Sequence, residues 1–266
     1  MPGHAASWGA AYPEITANCP SYVHNINNIP LTPANPKTFT IVSAVISYAA
    51  SKFIDNFMHF GADELVMGCW KEDKNITAFM KSKGFTSYDE LLGYFESTLQ
   101  PMYTKHNKTA IMWEEILMSH DQKYIHLPRS TILQAWRVRY SLGNIVKAGY
   151  RGLLSAGWYL DKQMPGGKHY LWEDTWIDFY NNDPHDIGNV TEAEKKLVLG
   201  GEACMWVRCS IKLFLFTTKN FLKGEQVDDV NFDSRVFPRI LAISERLWSS
   251  QNVKQVDAIT YSRLER

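Results

Sequence analysis

His59-Phe60-Gly61-Ala62-Asp63-Glu64 places two adjacent carboxylates where an apolar, strand-like run opens into a glycine turn. Phe53-Ile54 and Phe57-Met58 supply apolar material for a strand near residues 54 to 60. Gly61 lets the chain turn without a side-chain penalty. Asp63 and Glu64 then stand at the strand's carboxyl end, where barrel enzymes keep their chemistry. Read alone, the hexapeptide fits a sugar-hydrolase pocket and a solvated loop or helix start about equally well.

Moving outward, further short apolar runs lie near 109 to 113, 131 to 136, 152 to 156 and 197 to 203. Helix-compatible apolar repeats cover 39 to 51, 88 to 100, 138 to 149 and 236 to 248. Strands alternating with helices favour an α/β fold with a parallel sheet over a sandwich. Residues 1 to 38 are rich in Pro, Asn and Gly, which predicts loop rather than a packed leading subdomain. Residues 161 to 190 are polar and aromatic, with Pro165-Gly166-Gly167 and Asn181-Asn182-Asp183-Pro184 as turn signals. They predict a long loop of the kind that covers a site.

The chain has 266 residues and 45% hydrophobic composition, enough for one barrel-sized domain. Its 28 basic and 28 acidic residues balance, so charge makes no case for nucleic acid or an anionic membrane as partner. Nine Trp and 13 Tyr supply flat amphipathic rings, useful in a sugar site as well as in a core. Met1-Pro2-Gly3-His4 has no basic stretch followed by an apolar run, so no signal peptide is expected at this end. Ile211 to Phe216 is apolar but too short to span a membrane, and Lys212 interrupts it. Three triplets, Asn75-Ile76-Thr77, Asn107-Lys108-Thr109 and Asn189-Val190-Thr191, are acceptor patterns for N-linked glycans and point modestly to a secretory route. Cys19, Cys69, Cys204 and Cys209 have no metal-ligand spacing, so neither zinc nor another metal is expected, and composition leaves three pairings open.

Several motifs occur in one order along the chain. They are Pro2-Gly3-His4 with Ser7-Trp8-Gly9, then His59 to Glu64, Met112-Trp113-Glu114-Glu115, and Gln134-Ala135-Trp136. Gly157-Trp158-Tyr159-Leu160-Asp161, Gly200 to Trp206 and Ser244-Glu245-Arg246-Leu247-Trp248-Ser249 complete the series. The sequence closely resembles the catalytic domain of family 20 glycoside hydrolases, especially the animal lysosomal β-N-acetylhexosaminidases. The family signature is His-x-Gly-Gly-Asp-Glu, and Ala62 replaces its second glycine.

The resemblance implies a TIM (β/α)8 barrel that removes terminal β-linked N-acetylglucosamine or N-acetylgalactosamine from glycans or glycolipids with retention, without a cofactor. Such enzymes use the substrate's 2-acetamido carbonyl as nucleophile. One protein carboxyl therefore serves the leaving group, and the match assigns it to Glu64, as general acid and then general base. Asp63 would orient the acetamide and offset developing positive charge, and Tyr159 would position the acetamide oxygen. Trp113, Trp136 and Trp206 match pocket-wall tryptophans, although Trp136 and Trp206 would also serve in a core. Asp161 matches a contact to a sugar hydroxyl, or alternatively a helix cap. His4 and His59 would support the acids through hydrogen bonds or simply pack beneath them. The resemblance further implies a Cys19–Cys69 disulfide, a lysosomal or secretory location and a homodimer.

Two departures stand out. The match begins after the third barrel strand, so residues 1–266 are expected to supply strands four to eight of a partial barrel lacking the first three. Residues 207–223 interrupt the order after Trp206 as an atypical insertion, and skipping them makes Glu225 the match for the glutamate that binds outer sugar hydroxyls. An alternative function is a catalytically inactive, family-derived sugar-binding or interaction fragment.

Overall fold

The computed structural model describes residues 1–22, 29–161, 176–206, 227 and 229–250. Its chain divides into two compact units, Met1–Gln134 with Ala148–Arg151, and Ala135–Lys147 with the described residues from Gly152 onward. Residues 207–223, Glu225 and Cys209 lie outside the described residues.

The first unit opens with α1 (Ala6–Ala11) and a 3-10 turn at Pro13–Ile15, followed by α2 (Pro36–Lys52) and β1 (Phe57–His59). Next come α3 (Met67–Glu72), α4 (Lys74–Lys83), α5 (Tyr88–Thr104), β2 (Thr109–Trp113), α6 (Glu115–Met118) and β3 (Ile132–Ala135), which ends at the boundary. β1 pairs with β2 and β2 with β3, both in parallel, with His59 opposite Ile111 and Trp113 opposite Gln134. That register places the ends of three strands side by side. β1 is shorter than expected: Phe53 caps α2, and Ile54, 96% exposed, lies outside the strand.

Helix boundaries follow from local chemistry. Asn35 accepts the Lys37 N–H and Pro36 occupies the first turn, so α2 starts there. Asp73 caps α4, which ends at Gly84 in the left-handed conformation, φ 72°. Ser87 caps α5, with Asp89 and Glu90 at its positive end. Leu91, Leu92, Phe95 and Leu99 recur at helical spacing and bury one face of α5, where Phe95 meets Phe39 of α2 at 5.4 Å. Each fully buried side chain of this size contributes roughly 1.5–3 kcal/mol.

The expectation of a loop over residues 1 to 38 is corrected. Ile15 and Leu31 are completely buried, Thr16 and Leu31 form an antiparallel bridge, and Trp70 of α3 donates its indole N–H to the Leu31 carbonyl at 2.9 Å. Composition concealed this because the packing comes from isolated apolar residues between turn-forming ones.

The second unit contains α7 (Arg139–Lys147), β4 (Arg151–Leu154), α8 (Trp176–Asn181), α9 (Glu192–Lys195), β5 (Val198–Gly201), α10 (Phe232–Val236) and α11 (Arg239–Trp248). β4 and β5 pair in parallel, Leu154 opposite Gly201. Gly201 is required: a Cβ would stand 2.4 Å from the Leu154 carbonyl and 2.2 Å from the Trp158 ring. The stretch expected as loop from 161 to 190 contains α8, whose Phe179 and Tyr180 are wholly buried. Arg246 of α11 is buried against α8, its guanidinium 4.6 Å from the Tyr180 ring centre and its Nε donating to the Tyr180 carbonyl. The arginine of the closing motif is thus a packing anchor. Among the described residues five strands alternate with helical segments, the α/β pattern of part of a (β/α)8 barrel.

Candidate active site

The acid loop follows β1 directly. The Phe60 N–H donates to the Ile111 carbonyl and the Trp113 N–H to the Gly61 carbonyl, each at 2.8 Å, which extends the strand pairing through the turn. The backbone then bends sharply: Gly61, Ala62 and Glu64 have φ of 73°, 74° and 46°, and facing His4 has φ 54°. Gly3 permits the approach of the N-terminal segment, because a Cβ there would lie 2.8 Å from the Asp63 carbonyl.

These bends bring His4, Asp63 and Glu64 together. His4 Nε2 lies 3.2 Å from Asp63 Oδ2 and 3.5 Å from Glu64 Oε2. The two carboxylates have different settings, with side-chain exposures of 21% for Asp63 and 47% for Glu64. Burial opposes ionisation of Asp63, but the His4 hydrogen bond and charge, with help from the backbone and the Met1 amine, hold its carboxyl below the ordinary range. Asp63 is therefore a fixed anion and Glu64 the carboxyl more open to an incoming molecule.

His59 supports the loop from below. The Gly61 N–H donates to Nδ1 at 3.0 Å, so the ring proton sits on Nε2 and donates to Gln134 Oε1 at 3.1 Å. Part of the ring faces solvent, yet desolvation of the remainder lowers its pKa to about 4, against the raising effect of Gln134. The ring lies 4.7 Å from that of Trp113. A neutral His59 fixes the turn and leaves proton transfer to the carboxylates. Gln134 is completely buried and its role was missed, although an amide inside Ile132-Leu133-Gln134-Ala135 is itself a signal, since buried polar groups need partners.

The second unit gathers its own sequence-derived candidates. Tyr159 bridges Cys204 in parallel, and the Leu160 N–H donates to the Cys204 carbonyl at 2.7 Å. The Asp161 carboxylate accepts the Trp206 backbone N–H at 3.3 Å, which ties the segment after β4 to the segment after β5. Tyr159 is buried, Asp161 and Trp136 are half-buried, and Trp206 is 53% exposed. Asp161 thus has a local structural role as well as a carboxylate for a ligand. Trp136 follows β3 at a point where the Ser155 and Ala156 N–H groups both donate to the Ala135 carbonyl.

Cys19 and Cys69 are bonded, with Cα atoms 5.0 Å apart, and tie the N-terminal segment to α3. Cys204 is buried and takes no part in that bond. Among the described residues, no three or more His, Cys, Asp and Glu side chains gather as a metal site, and no described helix is long and apolar enough to cross a membrane.

The first unit carries a short acid loop at the end of a parallel strand, and the second carries a cluster of tyrosine, aspartate and tryptophan after its own strands, each at the strand ends where (β/α)8 barrels keep their chemistry. The catalytic-domain model of glycosyl hydrolase family 20 matches residues 1–251, and the chain belongs to that family. It is 43% identical over 258 residues to beta-hexosaminidase subunit A1 of Dictyostelium discoideum, covering 96% of this chain and 44% of that protein. Identity to the alpha subunit of mouse beta-hexosaminidase is 35% over 263 residues, with 96% and 44% coverage. The chain therefore spans less than half of these curated relatives. Among solved structures it is similar to Flavobacterium johnsoniae chitobiase, with TM-score 0.76 and 33% identity over 100% of this chain and 37% of that one. An exo β-N-acetylglucosaminidase from Vibrio harveyi, solved with N-acetylglucosamine, shares the fold at TM-score 0.77 and 23% identity, covering 100% of this chain and 40% of that one.

Proposed function

We propose that this chain carries the reacting groups of a β-N-acetylhexosaminidase that cleaves terminal β-linked N-acetylglucosamine or N-acetylgalactosamine with retention. The observation that carries the reading is the His4-bridged pair in which Asp63 is held ionised and Glu64 remains open. Glu64 gives its proton to the leaving oxygen as the glycosidic bond breaks. The acetamido carbonyl oxygen bonds to the anomeric carbon and forms a cationic oxazolinium ring. Asp63 accepts the acetamide N–H and offsets that charge in a partly desolvated setting. Glu64, now a carboxylate, takes a proton from water, which opens the ring with net retention.

Trp113 on the first unit and Trp136 and Trp206 on the second are assigned to the sugar and acetamide walls, Tyr159 to the acetamide oxygen and Asp161 to a hydroxyl. Glu225, outside the described residues, is assigned to outer hydroxyls. The described strands are assigned to positions four to eight of the barrel. The open outer edge of β1 supports this numbering: Phe57 is 46% exposed there, and β1 has no outer partner strand among the described residues. Glycans or glycolipids as substrate, a homodimer and a lysosomal or secretory route complete the reading.

The test is hydrolysis of a chromogenic N-acetyl-β-glucosaminide beside the plain β-glucoside. The chain is expected to cleave only the first, and Glu64→Gln to slow it by about 10²–10⁴-fold without unfolding, the range for a general acid-base group. Asp63→Asn should slow the same substrate. Undiminished turnover by folded Glu64→Gln would sink the assignment, and a folded chain inert toward both substrates would favour the sugar-binding or interaction fragment.

A further inference from the structure

A groove of about 730 Å³ opens in the first unit between the N-terminal segment and the start of α4, and none of the acid-loop residues lines it. Its volume falls within the roughly 300–1,000 Å³ of small-molecule sites. Its wall consists of carboxamides, hydroxyls, two carboxylates, prolines and alanines, without an aromatic ring. Both carboxylates already have hydrogen-bond partners. Asp73 accepts the Asn75 and Ile76 N–H groups on Oδ1 and the Asn18 N–H on Oδ2, at 2.7 to 3.2 Å, while Glu14 pairs with Lys37. With those oxygens engaged, the carboxamides and hydroxyls of the wall suit a neutral, hydroxyl-rich ligand. The Asn18 side chain is exposed and makes no hydrogen bond among the described residues, so it can both donate to and accept from hydroxyl groups.

The chain itself supplies an attachment point for such a ligand. Asn75 lines the groove, is exposed, and begins the acceptor triplet Asn75-Ile76-Thr77 in the first turn of α4. Its backbone is fixed by the Asp73 cap, while its side-chain amide has no partner among the described residues. Asn107 and Asn189 begin the other two triplets and are exposed, but neither lines this groove. The Cys19–Cys69 bond, adjacent to Asn18, belongs to the oxidising compartment in which N-linked glycans are attached.

We propose that Asn75 carries an N-linked glycan whose first two N-acetylglucosamine units lie along this groove. The bond from Asn75 Nδ2 to the anomeric carbon forms as that carbon leaves a lipid-linked pyrophosphate donor, and Nδ2 loses one proton. The attached sugar starts at the wall, so seating it requires no separate encounter and benefits from a high effective concentration. The proposal rests on the secretory-route reading.

The test expresses the full chain with an added secretion leader in eukaryotic cells that retain high-mannose glycans. Peptide mass spectrometry should find Asn75 occupied. Endoglycosidase H, which cuts between the first two sugars, should act on Asn75 about tenfold more slowly in native than in denatured protein, the ratio for a seated state favoured by about ten to one. Ala78→Trp, one turn along α4 on the groove wall, should displace the glycan and remove that protection. A bare Asn75, whether or not Asn107 or Asn189 is occupied, overturns this proposal, and because the added leader supplies the route, that result leaves the secretory-route reading standing. Equal native and denatured cleavage, or protection that survives Ala78→Trp, overturns the seating.

Discussion

At Ala62, φ of 74° holds an alanine where the family signature has glycine. A left-handed Cβ costs roughly 1–2 kcal/mol, so Ala62→Gly relieves strain at the acid loop. The gain is offset: Ala62 is 4% exposed, and its methyl contributes roughly 0.8 kcal/mol of burial. Glycine also gives the unfolded chain about 0.5–1 kcal/mol more freedom to lose. The three terms nearly cancel, so Ala62→Gly should leave the urea midpoint almost unchanged. Ala62→Val has no such compensation. Its branched Cβ at positive φ should destabilise the first unit by about 1–3 kcal/mol and displace Asp63 and Glu64. A valine variant with parental midpoint would remove strain from this account of the loop.

Among the elements, α3 shows how a helix too short to stand alone is held. It has six residues and no side-chain cap at its start, well short of the roughly 12–15 residues at which isolated helices become even marginal. It is held from outside by the Cys19–Cys69 bond, by Trp70 on the Leu31 carbonyl, and by Glu72, which accepts the Ser21 N–H at 3.1 Å. The disulfide closes a separation of 50 residues, for which chain entropy gives about 4 kcal/mol. The double variant Cys19→Ser/Cys69→Ser should therefore lower the unfolding free energy of the first unit by about 2–4 kcal/mol, and reduction of the parent should reproduce the loss. No change in denaturant midpoint would mean that the side-chain ties suffice. Elements of this kind are hard to read from sequence. α2, α5, α7 and α11 announced themselves by helical apolar spacing, and the strands by short apolar runs, to within a few residues. α1, α3 and α8 are too short for periodicity to register, and their stability comes from tertiary partners.

For the whole molecule, the family and the identity of the acids were legible because motifs are local in sequence. Their geometry was not, since His4 reaches Asp63 and His59 reaches Gln134 across long separations that no spacing rule encodes. The same limit hid Glu96, a carboxyl inside the amphipathic α5. It is 5% exposed, and neither oxygen finds a hydrogen-bond partner in the described structure. Desolvation pushes its pKa up to about 7, although the buried Met1 amine pulls the other way, and Glu96 in turn adds to the desolvation that raises Tyr103. The folded chain therefore binds this proton more tightly than the unfolded one. Stability is highest while both states are protonated, declines as pH rises above about 4.5, and has lost the full contribution above about 7. The shift corresponds to about 3 kcal/mol. His59 works in the opposite direction, because its pKa of about 4 makes stability rise with pH over part of the same window. The parent profile mixes the two, so the informative quantity is the difference between Glu96→Gln and the parent, in which His59 cancels. That difference should shift in favour of the variant by about 3 kcal/mol between pH 4.5 and 7.5, whatever constant cost the buried amide adds. Urea unfolding across this range measures it directly, and a difference independent of pH would show that Glu96 is already ionised in the folded chain at pH 4.5 or finds a partner on ionising.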